Sequence, residues 1–195
     1  MRLSHRICIA ILATSCAARQ NHNSTENYAR IAVLNYSNQT ASTDFDYLSE
    51  SLGDATRNAM RGRFDFREVQ MQPSPDSSED DTIKAAGGKA DILILGSYGR
   101  EAVSGTKGKK SEQLTISGKI YSLRHRKVLA EYSRKAAVDA RIFTTVNDIA
   151  QEAVHSIQAY TRKINEDQTV VDPKTGKEAL TLERLKLKVF VPPMF

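Results

Sequence analysis

Residues 91–98, Asp91-Ile92-Leu93-Ile94-Leu95-Gly96-Ser97-Tyr98, are the most apolar strand that the sequence predicts. Four aliphatic side chains in succession leave this segment without a polar face, which is typical of a strand covered on both sides. We therefore expect it to be the central strand of a sheet.

Two strands and two helices are predicted ahead of the central strand. Residues 30–36 are rich in β-branched side chains and predict a buried strand, and residues 64–69 predict another. Between them a helix is expected to begin near Asp44, with Thr43 or Asp44 as its N-cap. A short helix follows over about 79–87. The apolar face of the first helix consists of Leu48, Leu52, Ala55 and Ala59.

A hairpin follows the central strand. Its strands are predicted over about 112–122 and 127–138, because apolar and polar residues alternate in both. The residues expected on the buried face are Leu114, Ile116 and Ile120 in the first strand and Val128, Ala130, Tyr132, Ala136 and Val138 in the second.

The last predicted helix covers about 145–164, with Thr144 or Thr145 as its N-cap and Asp148 at the capping-box position of Thr145. The resulting order, β-α-β-α-β-β-β-α, predicts an α/β (α+β) fold in which helices pack on a single mixed β-sheet. The apolar stripe of the last helix consists of Val146, Ile149, Ala153, Ile157, Tyr160 and Ile164.

A C-terminal extension, residues 165–195, follows the predicted domain. From Leu185 its apolar residues alternate with charged ones, which predicts a strand that the prolines at 192 and 193 stop. An extra edge strand, a partner-binding extension and a disordered tail all remain open. The candidate partner-binding residues are Leu187, Val189, Val191 and Phe195.

The N-terminus has the pattern of an export signal. A basic start is followed by the apolar run 7–13 and then by small residues. This run is far shorter than the roughly 20 residues that a membrane-spanning helix needs. The tetrapeptide Ala13-Thr14-Ser15-Cys16 resembles the Leu-Ala-Gly-Cys site of bacterial lipoproteins, in which diacylglyceryl is joined to the cysteine sulfur. An ordinary signal with an incidental cysteine, or no export, are the alternatives.

Four segments follow from this interpretation. Residues 1–15 are a signal peptide, 16–28 a polar tether lipidated at Cys16, 29–164 a folded domain and 165–195 the extension. Removal of residues 1–15 takes away two arginines and no acid, which lowers the net charge from +5 to +3. That charge is too mild to indicate a nucleic-acid partner.

No residue pattern indicates catalysis or a metal. Gly96-Ser97-Tyr98-Gly99 lacks the Gly-x-Ser-x-Gly spacing of a nucleophile elbow. Gly108-Lys109-Lys110-Ser111 has Val103 where a phosphate-binding P-loop needs glycine. His125 and His155 have no second ligand nearby in sequence. We therefore expect no catalytic residue, no metal and no cofactor, and we do not expect an enzyme.

The predicted hairpin turn is strongly basic. Arg124, Arg126 and Lys127 are candidates for contact with an anionic lipid headgroup or an acidic envelope protein, although a solvated turn is the simpler interpretation. The basic loop 100–110 is expected about 30 Å away, at the other end of the intervening strand. One continuous nucleic-acid surface is therefore not expected.

Three segments, 31–38, 47–52 and 90–98, resemble TolB N-terminal-like domains, a group that includes FlgO-like, CsgG-like and LpoB-like envelope lipoproteins. The resemblance covers about 29–164 and concerns packing motifs. It implies a non-enzymatic lipoprotein that acts as a protein–protein interaction module in the periplasm, anchored in the outer membrane through lipid on Cys16. The alternative is a structural subunit of an oligomeric outer-membrane secretion or flagellum-associated assembly, for which a homo-oligomer is expected.

Overall fold

The computed structural model describes residues 28–72, 74, 77–104, 110–139, 141–165, 171, 174–182 and 185. Three α-helices and two β-sheets make up this part of the chain. The helices are α1 (Asp46–Arg63), α2 (Glu79–Ala86) and α3 (Ile142–Asn165). The strands are β1 (Arg30–Val33), β2 (Ser37–Asn38), β3 (Phe64–Asp65), β4 (Arg67–Glu68), β5 (Ile92–Ser104), β6 (Lys110–Ser122), β7 (Lys127–Ala137) and β8 (Glu178–Ala179).

The main sheet is mixed, with strand order β4-β1-β5-β6-β7 and with β2 also paired to β5. Strand β1 pairs in parallel with β4 and β5. Strands β5, β6 and β7 pair antiparallel. The apolar segment that begins at Ile92 therefore lies in the middle of the sheet, and the prediction of a mixed sheet with helices packed on it is confirmed.

Alternation along β5 divides the apolar residues between two cores. Ile92, Ile94 and Tyr98 belong to the larger core, which lies on the face covered by α1 and α3. Leu93 and Leu95 belong to the smaller core, which α2 covers on the opposite face. Successive side chains of a strand point to opposite faces, so β5 needs apolar residues at consecutive positions. The predicted inward residues Leu114, Ile116 and Ile120 of β6 are all buried.

Two predicted helix caps are wrong. A 3-10 turn at Thr43–Phe45 precedes α1 and is capped by Ser42, whose hydroxyl accepts from the Asp44 N–H. The N-cap of α1 itself is Phe45, which makes no side-chain capping bond. Helix α3 begins at Ile142, so neither Thr144 nor Thr145 is its cap. The side chain of Ile142 is buried, and this apolar contact explains why the helix starts about one turn earlier than predicted.

The single strand predicted at 64–69 is two short strands separated by Phe66. Strand β3 pairs in parallel with β8, whereas β4 pairs in parallel with β1. Phe64 is buried in the larger core and Phe66 packs against it, so two aromatic anchors hold the chain where it passes from one sheet to the other.

The predicted buried face of β7 is partly wrong. Tyr132 and Ala136 are buried, but Val128 is 39% exposed and Val138 is 37% exposed. The register shifts between Ile120, which pairs with Ala130, and Tyr121, which pairs with Val128. This bulge leaves Leu129 as an extra residue and turns Val128 to the other face.

Part of the C-terminal extension is held against the domain. The Ala29 N–H donates to the Leu180 carbonyl at 2.7 Å, and Tyr28 forms an antiparallel bridge with Thr181. The buried carboxylate of Glu178 accepts from Arg63 at 2.5 Å and from Gln158 at 3.1 Å. The lipidation candidate Cys16 and the predicted tail residues Leu187, Val189, Val191 and Phe195 lie outside the described residues.

Candidate interaction surfaces

Strand β7 is the longest open edge in the described sheet. It has 11 residues and, among the described strands, pairs only with β6, whereas β4 at the other edge has two residues. An edge strand exposes backbone N–H and C=O groups on its outer side, and these can pair with a strand from another chain.

Two cations near the end of β7 form ion pairs on the faces of the sheet. Arg134 pairs with Glu152 of α3 at 2.9 Å, and this bond raises the pKa of Arg134. Lys135 pairs with Glu101 of β5 at 2.6 Å. Lys127 at the start of β7 and the bulge near Leu129 are devices that discourage unspecific edge pairing at that part of the strand. They leave the stretch from Ala130 to Ala137, which is in regular register with β6, as the part of the edge suited to a specific partner.

A groove of about 1410 Å³ lies where β1 and β4 end. The chain leaves β1 for α1 on one face of the sheet and leaves β4 for α2 on the other. Connections that depart to opposite faces open a crevice at the carboxyl ends of the parallel strands. The groove is lined by segments 34–39, 70–72 and 95–97, by one side of α1 and by parts of β6 and β7.

Arg57 holds the α1 wall of this groove in place. Its guanidinium donates to the Val33 carbonyl at 2.9 Å, to Asn35 Oδ1 at 2.9 Å and to Asp54 Oδ1 at 2.7 Å. These bonds join α1 to the end of β1. Because three acceptors surround it, Arg57 is a structural residue rather than a free anion-binding group.

A row of serines crosses the floor of the groove. Register places Ser37 beside Ser97, Ser97 beside Ser117 and Ser117 beside Ser133, on four different strands. The Ser117 and Ser133 hydroxyls lie 3.1 Å apart. Next to the row, Lys119 donates to Glu79 at 2.7 Å, which raises the pKa of Lys119. The floor therefore offers uncharged hydroxyls and charges that are already paired.

Ser97 lies within β5 and not on a turn before a helix. The lining of the groove includes no histidine or cysteine that could activate a serine hydroxyl. Within the described ranges, no group of three or more His, Cys, Asp and Glu side chains could hold a metal ion. None of the described helices is long and apolar enough to cross a membrane.

The basic hairpin turn lies at the end of the sheet where β1 and β5 begin. The Leu123 N–H donates to the Asp91 carbonyl at 3.0 Å, and the Asp91 N–H donates to the Arg30 carbonyl at 2.7 Å. Arg124, Arg126 and Lys127 are all exposed. Arg126 has φ +50°, a left-handed conformation that closes the turn.

The C-terminal segment reaches the same turn. The His125 ring lies 3.1 Å from the Leu185 carbonyl through Nε2. His125 is thus a packing residue of the turn, whereas His155 is exposed on α3. No sequence pattern indicates this contact, because the two residues are 60 positions apart.

No protein-family model and no curated protein matches the chain. Among solved structures, the hypothetical protein CT253 from Chlamydia trachomatis matches with 8% identity and a TM-score of 0.46, over 68% of this chain and 97% of that one. Lipoprotein GNA1162 from Neisseria meningitidis matches with 11% identity and a TM-score of 0.39, over 67% and 99%. The LpoB C-terminal domain from Salmonella enterica matches with 17% identity and a TM-score of 0.38, over 58% and 84%. All three TM-scores are below 0.5, so any function has to be argued from the surfaces described above.

Proposed function

We propose that the chain is a non-enzymatic bacterial envelope lipoprotein whose α/β domain is a protein–protein interaction module facing the periplasm. The observation that carries the interaction role is the open edge of β7, which is 11 residues long. Lipid on Cys16 would hold the module on the membrane, with the outer membrane as the proposed site. Two or three acyl chains anchor a protein stably, whereas one is marginal.

The edge specifies how a partner would bind. A strand of the partner adds beside β7 and pairs with the backbone along Ala130–Ala137, where the register with β6 is regular. Backbone bonds supply affinity in this mode, and side chains on the two faces supply selectivity. The tail residues Leu187, Val189, Val191 and Phe195 are a second proposed contact.

The anchor is tested by the intact mass of the membrane-extracted protein, wild type beside Cys16→Ala. We expect a lipid-sized mass increase on a chain that starts at Cys16, and its loss in the variant. An unmodified chain that still starts at Met1 would contradict both the anchor and the periplasmic location.

The edge is tested with a photo-crosslinking amino acid placed singly at Ser133 and at Lys135 in cells. Both positions lie on β7, one strand spacing of about 4.8 Å from a docked strand. The matched control places the same group at Lys84, an exposed residue of α2. We expect adducts from the two β7 positions and none from Lys84; adducts from Lys84 alone would place the partner elsewhere.

The same experiment separates the interaction module from the alternative, a structural subunit of an oligomeric assembly. If β7 pairs with β7 of a second copy, the adduct has twice the mass of the chain. If β7 pairs with another protein, the adduct contains peptides of that protein. A variant that ends at residue 185 tests the tail, because unchanged adduct yield would remove the tail from the proposal.

A further inference from the structure

Five basic side chains lie together at the end of the sheet where the described chain begins. Arg67 is the first residue of β4, Lys89 lies just before β5, and Arg124, Arg126 and Lys127 form the β6–β7 turn. All five are exposed. Four intervals between neighbouring strands separate β4 from β7, so the group spans about 20 Å. We call these five residues the basic end.

The charges of the basic end are free of acidic partners in the part of the chain that the structure describes. The carboxylate of Asp91, two residues after Lys89, already accepts from the Arg30 guanidinium at 3.1 Å and from the Arg30 N–H at 2.8 Å. Asp65 accepts from the Thr175 hydroxyl at 2.6 Å. The other cations of β7, by contrast, are paired: Arg134 with Glu152 and Lys135 with Glu101.

Helix C-termini lie at the same end of the sheet as this cluster. Cations near a helix C-terminus are stabilised by the helix dipole, and Arg61 and Arg63 occupy such positions in α1. Arg67 follows the end of α1 by four residues, Lys89 follows the end of α2 by three, and Arg124 lines a small cavity with Tyr160 of α3. The C-termini of the three described helices therefore lie at this end as well and favour cations there. Asp44 and Asp46 lie at the far end of the sheet, where they precede or open α1, about 27 Å from Arg63.

The N-terminal chain enters the domain at the basic end. Tyr28 bridges Thr181, and Arg30, the first residue of β1, donates to the Gly88 carbonyl at 2.8 Å, next to Lys89. Eleven residues separate Tyr28 from Cys16. Even fully extended, they reach about 40 Å, so a lipid on Cys16 keeps this end of the domain near the membrane.

We propose that the basic end docks on the anionic phospholipid surface of the membrane that holds the lipid anchor, and so sets the orientation of the domain. This proposal rests on the proposed lipoprotein function. Surface charges act over about 8 Å at physiological salt, so the contact requires the basic end to face the headgroups directly. In that orientation β5, β6 and β7 rise away from the membrane, and the Ala130–Ala137 edge is presented to the periplasm.

Binding to vesicles tests the proposal without the anchor. The chain from residue 16 on, with Cys16→Ala, keeps every described residue and carries no lipid. We would measure its sedimentation with two kinds of vesicle. One contains phosphatidylcholine alone, and in the other about a third of the lipid is anionic phosphatidylglycerol. We expect at least about tenfold tighter binding to the anionic vesicles, and loss of that preference in high salt.

Two triple variants with the same change of charge locate the contact. Arg124→Gln, Arg126→Asn and Lys127→Gln neutralise the turn, and asparagine tolerates the positive φ of position 126. Arg134→Gln, Lys135→Gln and Arg141→Gln remove three cations about 25 Å from the turn, beyond the screening distance. Since each basic residue near the surface contributes about a fivefold factor, the first variant should lose about tenfold or more. The second should change binding less than about twofold.

Equal binding of the wild type to both vesicles, or equal losses in the two variants, would overturn the proposal. Circular dichroism checks that each variant is folded, and the double variant Arg124→Gln, Lys127→Gln replaces the first triple if it is not. The mass measurement on Cys16 reports the anchor separately. A lipidated protein without a preference for anionic vesicles would leave the proposed function standing and remove this docking surface.

Discussion

The hydroxyl groups of Tyr36 and Tyr132 lie 2.9 Å apart in the larger core, although the residues are 96 positions apart. Two strands, β5 and β6, separate the tyrosines. The rings approach each other over Gly96 and Gly118, which pair across these strands. A Cβ atom at Gly118 would lie 2.2 Å from the Tyr132 ring, and one at Gly96 would lie 2.2 Å from the Tyr36 ring. Two strands without side chains at these positions therefore let two aromatic rings meet.

Loss of one hydroxyl should destabilise the fold. In Tyr132→Phe the Tyr36 hydroxyl loses its partner while still buried, so we expect the free energy of unfolding to fall by about 1–2 kcal/mol. Urea unfolding followed by circular dichroism measures it. Tyr47→Phe is the control, because Tyr47 is 48% exposed. A double variant at 36 and 132 that costs as much as the two single changes added together would show that the hydroxyls do not interact.

Gly118→Ala should cost more than about 2 kcal/mol, because the new methyl group overlaps Tyr132. The three atoms nearest to this position all belong to the Tyr132 side chain, so Tyr132→Leu in the same protein should recover part of the loss. Gly62→Ala has open space in the last turn of α1 and should be neutral or stabilising by up to about 1 kcal/mol. Equal effects at positions 118 and 62 would contradict the close approach.

Stability should fall in alkali. Burial raises the pKa of Tyr98 to about 12, and its hydroxyl donates to the Phe45 carbonyl at 2.8 Å. The folded state favours the neutral form of Tyr98. The contribution of Tyr98 to the free energy of unfolding is therefore complete below about pH 10 and is lost as the pH rises from about 10 towards about 12. In this range the free energy of unfolding falls by up to about 1.4 kcal/mol per pH unit for one tyrosine.

Unfolding in urea at pH 8 and pH 11 measures this slope. Tyr98→Phe should be less stable at pH 8, since the bond to Phe45 is gone, and should show a shallower decline in alkali. Burial also raises the pKa of Tyr36 and Tyr132, so part of the decline remains in the variant. An identical slope in both proteins would assign the decline to other groups.

The ion pair between Arg63 and Glu178 should anchor the C-terminal segment. The Glu178 side chain is 3% exposed, so Arg63→Ala removes a charged partner from a buried carboxylate and should cost about 2–3 kcal/mol. Limited proteolysis should then cut the region after residue 165 faster. Arg61→Ala is the control, because its partner Glu68 is more exposed and the pair contributes about 1 kcal/mol or less. If the protease cuts the region after residue 165 equally fast in the two variants, the ion pair between Arg63 and Glu178 does not hold the C-terminal segment.

Several features of this protein follow from the sequence alone. Residues 92–95 have no polar face, and only the middle of a sheet can cover both sides of such a strand, so the position of β5 was predictable. Alternation predicted the β6–β7 hairpin and the buried face of β6, because side chains of a strand point to opposite faces whatever the partner. The basic character of the turn at 124–127 also requires only the sequence.

Tertiary structure decided the rest, since it depends on pairing between distant segments. The bulge that exposes Val128 and the early start of α3 at Ile142 come from packing energies that outweigh local preferences. The meeting of Tyr36 with Tyr132 depends on the register of four strands. Arg67 and Lys89 join the basic turn only because β4, β1 and β5 pair in parallel. No local pattern encodes these relations, because the contacts that create them form between residues far apart in the chain.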